Sequence, residues 1–203
     1  KSATQPAPFQ TTEPGALSVV KSGSATGTPI VMIHGFAGDA LAWVPLLPHL
    51  SFRPLIRIEL PGHGQSPIRV PKDFAALAGE VRQCFDDLGL DQAHIIGHSL
   101  GGALALALAD TRPRKTASLS LLCPAGLGPD INGMALTGIT GATQAASLGP
   151  WLRTLVADTT LISDSYVEKA MAARADASKR AAQIALGDVL FPDSTQAFDL
   201  RAA

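Results

Sequence analysis

The sequence predicts an α/β fold: a doubly wound, mostly parallel sheet with a helical insertion in its second half. Short continuous apolar runs, typical of strands covered on both faces, alternate with segments whose apolar residues recur at helical spacing. The 203 residues are 46% apolar and 16% charged, which suffices for one sizeable core and excludes a disordered chain. After Pro124 the alternation stops, and residues 151–203 have a helical pattern without a strand-like run.

The elements are predicted from apolar runs and from the residues that end them. The predicted strands are 17–20, 30–33, 55–60, 93–97 and 117–123, and the predicted helices are 41–50, 74–88 and 100–109. Asp73 is a suitable N-cap for the second helix, and Gly89 stands where a left-handed C-terminal residue belongs. Residues 199–203 have the pattern of a helix that is cut off in mid-turn.

Four segments are predicted along the chain. They are a proline-rich linker or flexible arm at 1–14, a core at 15–128, a helical lid at 129–198, and the start of a return to the core at 199–203. The apolar residues of the lid either line an acyl pocket or form the lid's own packing face; they are Met134, Leu136, Ile139, Trp151, Leu152 and Leu155. Trp43 is predicted to pack in the core.

Composition excludes several classes of function. The net charge of −1 offers no basic excess for nucleic acid, and no apolar run approaches the roughly 20 residues of a membrane span. Cys84 and Cys123 lie in apolar stretches and are predicted to be buried free thiols of a cytoplasmic protein. No paired His or Cys spacing predicts a metal site, and the glycines of 126–149 lack the frame of a phosphate loop. We therefore expect no metal and no cofactor.

A nucleophile elbow is predicted at Gly97-His98-Ser99-Leu100-Gly101. This G-x-S-x-G pattern follows an apolar strand and opens a helix, which is the context that the motif requires. A nucleophilic serine on such a sharp turn has strained backbone angles, and its flanking residues approach too closely to carry side chains. Ser99 is thus the candidate catalytic nucleophile, and Gly97 and Gly101 are its structural supports.

An oxyanion hole is predicted beside this elbow. Acyl transfer needs two backbone N–H donors for the developing negative charge. One donor is expected from Leu100, the residue after the nucleophile, and the other from Phe36 in His34-Gly35-Phe36, which directly follows a strand. Gly35 lets the backbone approach the site, and the Phe36 side chain is expected to form a pocket wall.

The motifs IVMIHGF, ELPGHGQS and GHSLGG, in this order and spacing, resemble the α/β-hydrolase superfamily. The resemblance implies that Ser99 is the nucleophile, that Phe36 and Leu100 donate to the oxyanion, and that His34 and Gly62 support these loops. The segments CPAGLGPDINGMALTGI and LVADTTLISDSYVEKAM resemble the C-terminal hydrolase-like domain of dihydrolipoamide acetyltransferase-type subunits of acetoin dehydrogenase systems. This narrower resemblance implies a lipoyl domain or a multienzyme complex as a partner.

The family's remaining catalytic residues are an acid and then a histidine, both after the nucleophile. None of the five histidines follows Ser99; His98 is expected to point away from it, and His63 is expected to make a structural hydrogen bond. The acids after Ser99 follow no strand-like run and are predicted to lie on the surface: Asp130, Asp158, Asp188, Asp193 and Asp199. We therefore expect the C-terminal part of the fold, with the acid and the histidine, to lie beyond Ala203.

Three functions remain open from the sequence. The first is a serine hydrolase that acts on a small-molecule carboxylic ester or thioester through an acyl-enzyme on Ser99. The second is an acyltransferase that passes the acyl group to a lipoyl thiol or to coenzyme A. The third is a binding or assembly domain of the same fold without catalytic activity, favoured by the lack of a histidine after Ser99.

Overall fold

The computed structural model describes residues 15–203, so the linker predicted at 1–14 lies outside the described residues. A five-stranded sheet has the order β1-β3-β2-β4-β5 within this part of the chain. The strands are β1 Val19–Gly23, β2 Ile30–Ile33, β3 Pro54–Ile58, β4 Ala93–His98 and β5 Thr116–Leu122. β1 pairs antiparallel with β3, and all other pairs are parallel. The prediction of a mostly parallel α/β sheet is confirmed.

Seven α-helices lie in the described part of the chain. They are α1 Leu47–Leu50, α2 Phe74–Asp87, α3 Leu100–Thr111, α4 Gly133–Gly141, α5 Ala145–Arg153, α6 Asp164–Ala172 and α7 Ala177–Leu190. The Asp73 carboxylate accepts from the Ala76 N–H at 2.7 Å and caps α2, while Gly89 follows this helix with a φ of +64°. Both predicted helix boundaries are therefore confirmed.

β2 is buried on both faces, as its continuous apolar run predicts. Val31 and Ile33 belong to a core cluster with residues of α2 and α3, among them Phe85 and Leu104. The intervening residues of β2 pack on the opposite face against Trp43, which is only 3% exposed. Burial of alternate residues on opposite sides is what a strand of a doubly wound sheet shows, because helices cover both faces of such a sheet.

The helical second half packs in two ways. α4, α5 and α6 contribute to a separate apolar cluster around Ile139, Leu148 and Val167. α7 instead places Leu186 and Leu190 in the main core, so the last helix of the predicted lid is also part of the core. None of the helices in residues 15–203 has the length and apolar character needed to span a bilayer.

Three local predictions are wrong. Residues 40–46 form a 3₁₀ helix that contains Pro45, and only Leu47–Leu50 is α-helical, because a proline removes a backbone donor inside the predicted helix. Cys123 is exposed, whereas Cys84 is buried and burial raises the pKa of its thiol to about 12. Residues 199–203 form a turn instead of a helix, and the Leu200 N–H donates to the Gly126 carbonyl at 2.7 Å.

Candidate active site

The two predicted loops of the site lie side by side at the carboxyl edge of the sheet. β2 and β4 are parallel neighbours in which Ile33 is paired with Gly97. The chain therefore leaves both strands at the same height, and residues 34–36 emerge beside residues 98–100. Ligand sites of open α/β sheets form at this edge, outside the carboxyl ends of the strands.

Ser99 occupies a strained turn between β4 and α3. Its φ of +53° and ψ of −119° lie outside the regions that residues with a β-carbon ordinarily adopt. Its N–H donates to the Leu122 carbonyl at 3.0 Å, and its own carbonyl accepts from the N–H groups of Gly102 and Ala125 at 2.8 and 3.0 Å. These bonds to the neighbouring strand and to the helix hold the backbone in this conformation.

The glycines on either side of Ser99 permit the turn. A β-carbon on Gly97 would lie 2.2 Å from the Gly101 carbonyl oxygen, and one on Gly101 would lie 2.1 Å from the Ile33 carbonyl oxygen. Such distances are far below van der Waals contact, and both obstacles are backbone atoms. Residues 97 and 101 therefore carry no side chain because the strand, the turn and the helix meet there.

Gly35 and Phe36 lie against this turn. A β-carbon on Gly35 would lie 3.1 Å from the Ser99 Cβ, so the loop after β2 is in close contact with Ser99. Phe36 is half-buried, and its ring packs edge-on against Phe191 with the ring centroids 5.5 Å apart. Leu100 is fully buried and is the first residue of α3, so its N–H lies at the positive end of a 12-residue helix.

His34 and His63 are structural histidines. In His34, Nδ1 donates to the Gly35 carbonyl at 2.8 Å and Nε2 accepts from the Leu60 N–H at 3.1 Å. In His63, Nδ1 donates to the Pro61 carbonyl at 2.7 Å and Nε2 accepts from the Ala37 N–H at 3.1 Å. All four ring nitrogens are therefore occupied. Burial lowers the pKa of His34, and burial together with the neighbouring His34 lowers the pKa of His63 to about 3.

The other candidates for a catalytic base do not complete a site. His98 lies beside Gly35, its Nδ1 2.9 Å from where a Gly35 β-carbon would be, and partial burial lowers the pKa of its imidazole. The five acids named after Ser99 are all exposed, as predicted. Asp199 forms an ion pair with Arg201, and this contact lowers the pKa of its carboxyl to about 2. Residues 15–203 therefore bring together a candidate nucleophile and its loops without a histidine base.

A cavity of about 410 Å³ lies beside Phe36, between α4 and α7. Leu136 and Thr137 line it from α4, and Gly187 and Phe191 line it from the other side. Leu136, one of the six apolar residues named for the predicted lid, therefore faces the cavity. Ile139, Trp151 and Leu152 pack in the apolar cluster formed by α4, α5 and α6, whereas Met134 and Leu155 are exposed.

Two charged residues near the site were not predicted from the sequence. Glu59 is buried and accepts from the N–H groups of Gln65 and Ala40, at 2.6 and 3.4 Å, and burial raises the pKa of its carboxyl. Glu59 is the first residue of the ELPGHGQS motif, and this position is a sequence signal that could have identified it. Arg174 donates to the Ala37 carbonyl at 2.7 Å, and no local pattern distinguishes it from a surface arginine.

The geometry does not include a metal-binding cluster. Within residues 15–203 no three His, Cys, Asp or Glu side chains are arranged so that they could hold a metal ion. What the loops present instead is a serine on a strained turn, with the loop after β2 in close contact with it.

Comparison with known proteins places the chain in a family. A model of the alpha/beta hydrolase fold matches residues 28–195. The dihydrolipoyllysine-residue acetyltransferase component of the acetoin cleaving system of Pseudomonas putida is 40% identical over 148 residues, which are 72% of this chain and 40% of that protein. The component of the same name from Cupriavidus necator is 33% identical over 169 residues, which are 82% of this chain and 45% of that protein. The chain thus spans less than half the length of these two relatives.

Solved structures show the same fold. A serine hydrolase from Cycloclasticus zankles superimposes with a TM-score of 0.75 at 19% identity, covering 88% of this chain and 69% of that one. A meta-cleavage product hydrolase from Pseudomonas fluorescens IP01 gives a TM-score of 0.72 at 22% identity, covering 87% and 66%. With a family model that matches most of its residues, the chain belongs to the alpha/beta hydrolase fold family.

Proposed function

We propose that the chain carries the nucleophile half of a serine acyl-transfer site and that it acts on a small-molecule carboxylic ester or thioester. The observation that carries this proposal is the backbone conformation of Ser99, which has a φ of +53°. Gly97 and Gly101 lie on either side of it, and neither position has room for a β-carbon. Strain of this kind persists where the surroundings impose it and is concentrated at functional sites.

In the proposed reaction, the Ser99 Oγ attacks the acyl carbon and its proton passes to a histidine imidazole. The carbonyl electron pair moves onto oxygen, where the N–H groups of Phe36 and Leu100 stabilise the negative charge. The intermediate collapses as the alcohol or thiol leaves with the proton, and an ester on Ser99 remains. Water then adds to this ester and releases the acid. We propose that the imidazole and its acid partner belong to a part of the protein outside these 203 residues, since no histidine follows Ser99.

A fluorophosphonate is expected to label Ser99 in the protein that contains this chain, and Ser99→Ala is expected to abolish the labelling. The phosphonate reports an activated serine, because unactivated hydroxyls react with it very slowly. The matched control is Ser165→Ala, at an exposed position of α6, which is expected to keep full labelling. Peptide mass spectrometry identifies the modified residue. Labelling that survives Ser99→Ala, or a wild-type protein that takes no label, would contradict the proposal.

Acyl transfer is the second candidate, and the two acetyltransferase components of acetoin cleaving systems favour it. The acyl-enzyme is the same, and the acceptor is a thiol of a dihydrolipoyl group or of coenzyme A instead of water. A multienzyme complex or a lipoyl domain is then the partner. The cytoplasmic location predicted from the two cysteines stays a prediction.

The acceptor can be identified by partitioning. If the protein is a transferase, adding dihydrolipoamide to a fixed amount of acyl donor is expected to divert most of the acyl group into an acyl-thiol while the release of free acid falls. If it is a hydrolase, the yield of acid stays constant at every thiol concentration. The Ser99→Ala variant is the control for direct chemical transfer to the thiol. A binding or assembly domain is expected to produce neither product from any ester or thioester donor.

A further inference from the structure

The turn that follows β2 has an unusual backbone. Ala37, next to the proposed oxyanion donor Phe36, has a φ of +56°. A residue with a β-carbon takes such a left-handed value at a cost, and only where its neighbours impose it. The Gly38 N–H donates to the Gly35 carbonyl at 3.1 Å and closes the turn over residues 35–38. The orientation of the Phe36 N–H therefore depends on what holds Ala37.

Two contacts hold Ala37 from opposite sides. Its N–H donates to His63 Nε2 at 3.1 Å, and the other nitrogen of that ring is bound to the Pro61 carbonyl. Its carbonyl accepts from Arg174 Nη2 at 2.7 Å. The first contact comes from the core loop after β3, and the second comes from the segment between α6 and α7.

Arg174 connects this turn to the lid. Its Nη1 donates to the Ile139 carbonyl of α4 at 3.0 Å, and its own carbonyl accepts from Arg180 Nη1 at 3.2 Å. The side chain is half-buried and reaches Ala37 across 137 residues of sequence. A guanidinium can make both contacts at once because its donors are held in a rigid planar fork.

The Phe36 side chain is packed by the same helical region. A β-carbon on Gly187 of α7 would lie 3.1 Å from the tip of the Phe36 ring, and Phe191 packs edge-on against it. The helices that follow β5 therefore contact this turn at two points, the Phe36 ring and the Ala37 carbonyl.

We propose that Arg174 is a positioning residue that holds the Ala37 carbonyl and so aims the Phe36 N–H at the developing oxyanion. The inference rests on the proposed function of Ser99. If Arg174 has this role, the geometry of the oxyanion hole depends on how α4 and the segment between α6 and α7 pack against the core. Without the arginine, Ala37 relaxes from its left-handed conformation, and the Phe36 N–H loses its fixed direction.

The test compares three substitutions in the protein that contains this chain. Arg174→Met keeps the length of the side chain and removes its donors, whereas Arg174→Lys keeps one donor for the Ala37 carbonyl. Arg153→Met is the matched control, since Arg153 also lies in the helical region but pairs with the highly exposed Asp164 at 2.8 Å. Fluorophosphonate labelling of Ser99 is measured against inhibitor concentration, which separates binding from the maximal rate. Amide exchange over residues 35–38 and the melting temperature are measured alongside.

Arg174→Met is expected to lower the maximal labelling rate per folded molecule by about 10- to 100-fold, since losing one oxyanion donor outright costs about 100- to 1000-fold. Inhibitor binding stays unchanged, amide exchange over residues 35–38 rises, and Arg174→Lys recovers part of the rate. The control variant behaves as wild type in all of these measurements.

A purely structural role for Arg174 would lower the melting temperature and leave the maximal rate per folded molecule unchanged, and that result would overturn the inference. If the wild-type protein takes no label, the proposed function of Ser99 is wrong. Amide exchange then still tests whether Arg174 holds the Ala37 turn. Unchanged exchange over residues 35–38 in Arg174→Met then overturns the inference, and increased exchange supports the hold of Arg174 on the turn.

Discussion

Gly101→Ala is expected to destabilise the protein by about 3 kcal/mol or more and to abolish the reactivity of Ser99. The added β-carbon would lie 2.1 Å from the Ile33 carbonyl oxygen and 2.4 Å from the His34 carbonyl oxygen. Both obstacles are backbone atoms at the end of β2, so they cannot move aside as a flexible side chain could. Either the helix or the loop must shift, and both carry proposed oxyanion donors. Urea unfolding measures the loss of stability, and phosphonate labelling measures the loss of reactivity.

Gly79→Ala is the matched control for this substitution. Gly79 lies within α2, and apart from its chain neighbours and the backbone of its own helix, no atom lies within 4 Å of where its β-carbon would be. Alanine at this position is expected to stabilise the protein by about 0.5 to 1 kcal/mol, because it restricts the unfolded chain and favours the helix. Both substitutions add one methyl group, and they are expected to change the free energy of unfolding in opposite directions. A Gly101→Ala variant as stable as wild type would contradict the close packing of the elbow.

Acidification from pH 7 to pH 4 is expected to lower the free energy of unfolding by about 3 kcal/mol through His63 alone. Burial, the neighbouring His34 and Arg174 lower the pKa of His63 from its ordinary value of 6.5 to about 3 in the folded protein. Between these two values the unfolded chain binds a proton that the folded protein does not. The contribution of His63 to stability is thus complete above pH 6.5 and is lost as the pH falls toward 3. Burial lowers the pKa of His34 as well, and its effect has the same sign.

Two histidine variants isolate this effect. His63→Gln keeps a side chain that can accept from Ala37 and removes the titration, so its stability is expected to fall less steeply between pH 7 and pH 4. His49→Gln makes the same change at an exposed histidine of α1 and is the matched control. Urea unfolding at pH 7, 5.5 and 4 measures the three slopes. Equal slopes for His63→Gln and wild type would show that protonation of His63 does not oppose folding.

Much of the sheet could be predicted because its signals are local. The run Ile30–Ile33 is a strand with the predicted bounds, since four consecutive apolar residues suit a strand covered on both faces. Asp73 and Gly89 mark the limits of α2 through contacts within one helical turn. The helix predicted at 41–50 was wrong for a reason also visible in the sequence, since Pro45 interrupts it.

The features that the sequence does not predict are those that contacts between distant parts of the chain decide. Cys123 lies in an apolar stretch, yet it is exposed because it follows β5, which forms one edge of the sheet in the described part of the chain. The pattern of α7 resembles that of the other helices in the predicted lid, yet Leu186 and Leu190 pack in the main core. Apolar periodicity shows that a face is buried, and it does not show which surface buries it.

The sequence alone determined the candidate chemistry: a serine flanked by glycines after a strand, a second glycine loop after a neighbouring strand, and no histidine after Ser99. The two glycine-containing turns are local signals because a tight turn constrains the residues that form it. Only the tertiary structure decided that His63 and Arg174 meet at the two sides of Ala37. The sequence alone does not show whether a histidine or an arginine lies in the core or on the surface. Their roles follow from contacts between residues 26 and 137 positions apart, which exist only once the helices pack on the sheet.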